Sequence, residues 1–321
     1  MSEVYQPPFH MTEEIINLIV EIGQYVGSIT TYESMHQNPV LRRENRIKSI
    51  YSSLAIEQNT LSLDQVSDVI DGKHVFGPPE DIREVKNAYE AYERVSELDP
   101  YDVKNLFFAH KLMMEGLVKE AGRFRSGNVG VFDGDALIHA GAPAAHVPEV
   151  MADIFGWLEK TSMHPLVASC IFHFEFEFCH PFSDGNGRTG RLWHTLLLSK
   201  WRPALAWLPI ESTIRRRQAG YYEALAKSDA IGSSERFVEF MLDVIRNSIL
   251  PFSKPANEKE LTRARTLDFF RERGDGSISA LAEHLGCSKR SAERIVAGLK
   301  EEGSLARRGS ARSGIWIVHE N

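Results

Sequence analysis

Apolar residues recur three and four apart from Thr12 onward, with Ile15, Leu18, Ile19 and Ile22 on one stripe and Thr12 placed to cap the first turn. The same period predicts a helix from about Asn38 to Glu57 through Leu41, Ile47, Ile50 and Leu54. Further helical patterns follow at Leu63 to Asp71, at Asp81 to Leu98 after the breaker run GKHVFGPPED, and from Asp99-Pro100 through Leu106, His110 and Met113. Residues 121–148 change character. Gly, Ala, Val and turn residues dominate, and the short runs GVF and ALIH predict a small β-hairpin turned at Asp133-Gly134. Helical spacing resumes at Pro148 through Val150, Ile154, Trp157 and Leu158, and again at Pro165, a residue suited to a first helical position.

One stretch reads two ways. FHFEFEF, residues 172–178, alternates apolar and polar residues like a strand. Yet Leu166, Cys170, Phe174 and Phe178 recur every four residues and Val167 and Ile171 widen the stripe, over a length that exceeds a typical strand. A buried helix is the expectation. The choice matters because HPFSDGNGRTGR follows at 180–191, and its Gly185, Gly187 and Gly190 satisfy G-x-G-x-x-G. Glu211, after the apolar LAWLPI, sits where a dinucleotide-binding fold keeps a ribose-binding acid. That alternative predicts NADH binding and a strand at 172–178. Against it, no strand leads directly into the glycines and no βαβ repeat surrounds them.

Beyond the loop, helices are expected at Leu192 to Lys200, Arg215 to Ser228 and Ser234 to Leu250, and then PFSKPANE reads as a linker. From Glu258 a helix carries Leu261, Leu267 and Phe270. A short helix capped by Ser279 follows, then a turn at Gly286, a helix turning Ile295, Val296 and Leu299 inward, and a Gly-turned pair ending in GIWIV. This segment resembles a winged helix-turn-helix. Its would-be recognition helix carries Lys289, Arg290 and Arg294, and its wing carries Arg307 and Arg308. Twelve Lys/Arg against ten Asp/Glu from 258 onward leave a weak electrostatic footprint, so DNA and a protein or packing role both stay open.

A net charge of −7 argues against non-specific nucleic-acid binding by the whole chain. Three cysteines without a C-x-x-C pair suit a reducing compartment. With no signal-peptide pattern and no apolar run of membrane-spanning length, the expectation is a cytoplasmic protein with no membrane partner.

The chemistry concentrates in 180–191. Three glycines let backbone N–H groups approach a ligand. The helix that opens at the loop's end presents amides and a dipole that favour an anion. Arg188 and Arg191, three apart, offer guanidinium forks for phosphate oxygens. Asp184 is the loop's one carboxylate, enough to share Mg²⁺ with nucleotide phosphates, and His180 is its one proton acceptor near neutral pH. His164, His173 and His194 have no zinc spacing and are expected to be structural. Glu175 and Glu177, two apart on a helix, do not form a dyad, and Arg215-Arg216-Arg217 reads as a solvated helix start.

At every defined position the twelve residues match H-x-F-x-[D/E]-G-N-G-R-x-x-R, the signature of the Fic family, and the chain resembles that family from about Gly122 to Leu250. The resemblance implies a mainly α fold, a helical bundle with a small β-hairpin flap, that transfers AMP from ATP to a protein hydroxyl. It implies that His180 takes the hydroxyl proton, that Phe182 anchors the loop in the core, and that Asp184 holds Mg²⁺. Gly185, Asn186 and Gly187 would form the anion hole, with Arg188 and Arg191 on the β- and γ-phosphates. It further implies a target-binding flap near Asp133 to His146, with Leu137, Ile138 and His139 at its edge, adding an extended target segment as a strand. SLAIEQN, residues 53–59, is similar to the family's inhibitory motif [S/T]-x-x-x-E-[G/N]-N through Ser53, Glu57 and Asn59. There Glu57 would pair with Arg191 and exclude the γ-phosphate. Gln58 departs from the motif, which bears on the local backbone geometry.

The expected organisation is an N-terminal helical region at 1–98 with the inhibitory helix, a catalytic core at 99–252 and a winged helix at 258–321. The expected partners are ATP and a protein target, the chain itself included, with a homodimer among the candidate assemblies. Two rivals of function remain besides the dinucleotide one. The same fold could move another phosphate-containing group or remove AMP, or the chain could be a DNA-binding regulator with a nucleotide-sensing core.

Overall fold

The computed structural model describes residues 5–27, 39–133, 136–253, 258–309 and 314–319, and the side chains of 131–140 and 253–261 lie outside that description. The chain forms two compact units, Met1–Leu250 and Pro251–Asn321.

The first unit begins with α1 (Glu13–Gly27), capped by Thr12, whose hydroxyl accepts from the Ile15 N–H at 3.2 Å. Helix α2 (Pro39–Ile56) follows, then α3 (Leu63–Ile70), opened by a reciprocal capping box between Ser62 and Gln65. The helix predicted over Asp81 to Leu98 is α4 (Pro79–Glu93) followed by a separate 3₁₀ turn at Val95–Glu97. Helix α5 (Val103–Met114) starts after Asp102, whose carboxylate caps the Lys104 N–H, and so begins later than Asp99-Pro100. The expected hairpin is β1 (Gly130–Asp133) paired antiparallel with β2 (Ala136–Ala140); Gly134 of its predicted turn lies outside the described residues.

Next come α6 (Val147–Lys160), α7 (Pro165–Cys179) and α8 (Asn186–Trp201), the last two joined by the loop of interest. Residues 172–178 are helix within α7, so the dinucleotide reading fails at its stated test. The alternation was misleading because this helix is buried nearly all round, and both its apolar residues and Glu175 face protein. Glu175 accepts from the Tyr5 hydroxyl at 2.9 Å. Phe172, Phe176, Trp193 and Leu196 fill the core around α7 and α8.

The helix predicted from Arg215 is two, α9 (Ile210–Arg216) and α10 (Gln218–Ile231), broken at Arg217. Arg217 therefore closes one helix rather than opening a run, and it pairs with Asp243. Helix α11 (Glu235–Ser253) runs through Pro251, which the linker prediction placed beyond its end. In the last turn the ring forfeits a single helical hydrogen bond. Residues 254–257 of that linker lie outside the described residues.

The second unit holds α12 (Glu258–Glu272), α13 (Ile278–Leu285), α14 (Lys289–Glu301) and an antiparallel pair, β3 (Leu305–Arg308) with β4 (Ile315–Val318). Ser277, not Ser279, caps α13: its hydroxyl accepts from the Ala280 N–H at 3.1 Å, while Ser279 is already helical. Phe270, Leu281, Val296, Leu299 and Trp316 form its core. Among the described residues no helix is long and apolar enough to cross a membrane.

Candidate active site

Helix α7 ends on His180, which adopts the left-handed conformation at φ 51°, ψ 60°, with its N–H returned to the Phe176 carbonyl at 3.0 Å. A C-terminal turn of this shape usually carries glycine. Here the left-handed residue carries the imidazole instead. Two residues on, the fully buried Phe182 stacks on His110 with centroids 3.6 Å apart and planes 6° from parallel. The Asn186 side chain then fixes the loop from within, accepting from the Phe182 N–H at 2.8 Å and donating to its carbonyl at 2.9 Å. Its amide is thereby occupied, so only the Asn186 backbone N–H remains to meet an anion. Gly185, at φ 79°, turns the chain into α8, whose first amides have no side-chain cap.

The sequence reading missed two residues that hold this loop. His110 accepts from the Gly122 N–H at 2.9 Å through Nδ1, so its Nε2–H donates to the Asp184 carbonyl at 3.0 Å. Burial pushes its pKa down to about 4, which keeps the ring neutral. Arg125 donates to the carbonyls of His180 at 2.7 Å, Gly127 at 2.8 Å, Cys179 at 3.3 Å and Ala142. It thus ties both feet of the hairpin to the end of α7. One of two Arg in a short Gly/Ser-containing stretch gives no spacing signal; its place beside the hairpin was the one available hint.

The two arginines of α8 meet the N-terminal helices. Arg191, 2% exposed, donates Nε–H to the Ser53 hydroxyl at 3.1 Å. Its Nη2 donates to the Ser53 carbonyl at 2.9 Å and to Glu57 Oε1 at 2.8 Å. Burial opposes this charge, but the neighbouring Glu57 carboxylate, with Tyr221 and Glu177, outweighs it and holds the guanidinium above its ordinary range. Gly187 explains how Glu57 gets so close: a Cβ there would stand 2.3 Å from Glu57 Oε1. Gln58 adopts φ 70°, and the Asn59 N–H closes onto the Leu54 carbonyl at 3.1 Å. The departure from Gly or Asn is accommodated as a left-handed glutamine.

Arg188 pairs with Glu84, a third residue the sequence reading missed, and with Asp184 at 3.1 Å. Asn59 donates to Glu84 Oε2 at 2.7 Å. Near Arg191, burial lifts the Glu177 carboxyl to about 7, and its Oε1 has no hydrogen-bond partner. It lies 3.6 Å from His173 Nε2. His173 is pushed down to about 3 by burial and by Arg191, and His194 falls well below its ordinary value for the same first reason. Both are buried, as expected of structural histidines. His180 Nδ1 lies 3.3 Å from the Glu177 carbonyl, which can only accept, so Nδ1 carries the hydrogen and Nε2 is free to take a proton.

Leu137, Ile138 and His139 fall on β2, and their side chains lie outside the described residues. Lys289, Arg290, Arg294 and Arg308 are exposed on the second unit, whereas Arg307 packs on the Trp316 ring at 4.8 Å. Among the described residues no group of three or more His, Cys, Asp or Glu could hold a metal by itself.

Fold and loop together define a helical protein that presents a glycine-rich, anion-receptive turn at a helix N-terminus beside a free imidazole nitrogen. Comparison with known proteins sharpens this. A family profile described as Fic/DOC family matches residues 97–198. The crystal structure of a Fic family protein from Desulfovibrio desulfuricans G20 is 44% identical, covers 99% of each chain and superposes with a TM-score of 0.74. The chain belongs to the Fic family. It is also 29% identical over 218 residues to protein adenylyltransferase fic-1 of Caenorhabditis elegans, covering 63% of this chain and 40% of that protein. A similar match, 28% over 226 residues, is to protein adenylyltransferase Fic of Culex quinquefasciatus, covering 64% of this chain and 41% of that one. The chain therefore spans less than half the length of these curated relatives. The Fic-1 fragment of C. elegans, 22% identical with a TM-score of 0.61 over 74% of this chain and 71% of that one, shares the fold.

Proposed function

We propose that the chain is a protein adenylyltransferase: it moves AMP from ATP to a hydroxyl of a protein, with residues 99–252 as the catalytic core. The observation that carries the reading is the loop itself, which sets a free His180 Nε2 beside two buried arginines and the open amides of a helix N-terminus. Relatives named adenylyltransferases support the choice of AMP.

The target hydroxyl gives its proton to His180 Nε2 as its oxygen attacks the α-phosphorus. The bond from that phosphorus to the bridging oxygen breaks, and pyrophosphate leaves. A positioned base of this kind contributes roughly 10²–10⁴ in rate. Gly187 and the backbone of Asn186 supply N–H groups to the phosphates, joined by the Gly185 N–H once it leaves Asp184 Oδ1, and Arg188 and Arg191 supply forks for them. Asp184, well exposed and with Oδ2 unengaged, fits Mg²⁺ that arrives with the nucleotide, since a single carboxylate plus phosphates is the usual holder. When bound, that ion neutralises phosphate charge. The hairpin is the proposed docking edge for the target segment.

The protein is held in check by Glu57, which occupies the Arg191 fork that a γ-phosphate oxygen would use. The test is transfer to lysate proteins from ATP labelled at the α- or the γ-phosphate, using Glu57→Gly with His180→Ala as control. Label from the α-position that needs His180 is the expected result. Label from the γ-position alone would replace the reading with a kinase.

A further inference from the structure

Away from the loop, a cleft of about 300 Å³ opens beside the first half of α2, lined by Arg42, Arg43, Arg46, Tyr89, Glu93 and Trp207 among others. Three cations crowd the start of a helix that has no acidic residue in its first turn. That end already carries the positive pole of the peptide dipoles, so the site is short of negative charge.

The neighbouring carboxylates offset this only in part: Glu211 acts on Arg46 but already accepts from the Ser49, Tyr92 and Thr195 hydroxyls. Asp71 takes Arg43 and is shared with Lys73 at 3.6 Å. Glu93, half exposed, stands 3.7 Å from Arg46 Nε, beyond hydrogen-bond distance. That Nε is buried without a partner, on a side chain only 6% exposed. Burial lowers the pKa of Arg46, the mark of a cation that gives up more hydration than its neighbours return. Arg42 and Arg46 both lie against Trp207, at 5.1 and 4.7 Å from its centroid, which brings two like charges to one indole. Among the described residues Arg42 has no carboxylate partner.

We propose that this cleft binds a small phosphate-bearing anion, inorganic or carried on a compact metabolite, and that the bound anion holds α2, and with it Glu57, in the closed position. Planar guanidinium forks match phosphate oxygens, and the volume lies at the small end of ligand sites. Helix α2 is a continuous rod from these arginines to Ser53, and Glu57 follows its last residue. The cleft and the Glu57–Arg191 pair occur together in one conformation, and a ligand that prefers this conformation adds its differential affinity to the closed state. Only the second half of the proposal rests on the inhibitory reading of Glu57.

The test is calorimetric titration of the full chain with inorganic pyrophosphate and, separately, with AMP. It compares wild type, the R42Q/R43Q double variant and Arg188→Ala. Arg42 and Arg43 are partly or fully exposed, so their replacement spares the fold that loss of the buried Arg46 would endanger. Binding that survives Arg188→Ala and weakens at least about tenfold in R42Q/R43Q is expected. Pyrophosphate alone would assign an inorganic anion, and AMP a metabolite. No binding to wild type, or binding lost in Arg188→Ala and kept in R42Q/R43Q, would overturn the site. The coupling is read from ATP affinity, which needs no catalysis. The anion should weaken ATP binding to wild type and not to Glu57→Gly, and equal weakening in both would overturn the coupling. Failure of the adenylyl-transfer reading would appear only in the label experiment.

Discussion

Removal of Glu57 is the perturbation whose size can be worked most directly from the structure. Arg191 has three anchors, and Glu57→Gly removes one of them, a 2.8 Å charge-assisted hydrogen bond, while the two contacts to Ser53 persist. Hydrogen bonds to charged groups contribute about 1.5–3 kcal/mol, so the closed state should lose roughly 10- to 150-fold in population relative to the open one. That factor is the expected gain in competent ATP binding, because affinity scales with the competent fraction. The assay is initial-rate transfer from α-labelled ATP at subsaturating nucleotide, paired with calorimetric ATP affinity. Glu57→Gln, which keeps the reach but not the charge, should fall between wild type and Glu57→Gly. Equal rates and equal affinities for all three would refute the argument that an internal carboxylate competes with phosphate for Arg191.

Three further outcomes are expected. Gln58→Gly should raise the melting temperature and slow wild-type transfer further, because a left-handed non-glycine costs roughly 1 kcal/mol and relief of it favours the closed turn; an unchanged or faster rate would count against this. Arg125→Ala should lower kcat roughly 10²-fold with little change in ATP affinity, since it frees the His180 carbonyl and both feet of the hairpin at once; single-turnover kinetics beside ATP titration separates the two. Glu177→Gln should stabilise the fold with a pH signature. Burial raises this carboxyl from 4.5 to about 7, so the folded state keeps its proton while the unfolded chain releases it, and stability falls as pH rises from 4.5 through 7. The glutamine removes that loss, with a gain of roughly 3 kcal/mol at most at pH 8 and none below pH 4.5. Denaturant unfolding that shows a pH-independent difference would refute the assignment.

Much of the architecture was legible because it rests on local period. The stripes of α1, α2 and α6 gave their helices directly, and the four-residue recurrence from Leu166 to Phe178 outweighed an alternation that suggested a strand. Boundaries were less legible where a side chain outside the periodic stripe decided them: Asp102 for α5, Ser277 for α13, and the break at Arg217. The loop could be read because its chemistry is continuous in sequence. The parts that brace it could not. Glu84 lies 104 residues from Arg188, and Arg125 lies 55 from His180, so nothing local marks either as a partner. The burial of the Glu177 carboxyl was likewise invisible, since its neighbours Phe176 and Phe178 fit a buried face and a solvated glutamate equally well.

Backbone conformation explains why the legible and illegible parts meet where they do. Among the described residues two non-glycines have positive φ, Gln58 and His180. Each follows the end of a helix, and each stands at a residue given a role in the proposed function: Gln58 between Glu57 and Asn59, His180 as the proposed base itself. Such conformations persist only where the surroundings over-determine them. At His180 the over-determination is visible in the Arg125 contacts to the carbonyls on either side of the residue's entry into the loop, and in the Asn186 clamp on Phe182 two residues later. At Gln58 it comes from the Asn59 N–H bonded to Leu54, and from the Asn59 side chain bonded to Glu84. Strain at the first turn is therefore held by residues that have no competing ligand, so it should persist through a catalytic cycle. Strain at the second is held partly through Glu84, whose other oxygen grips Arg188. A nucleotide that reorients Arg188 would loosen the turn that carries Glu57, so the proposed brake should be easier to release than the proposed base is to misplace.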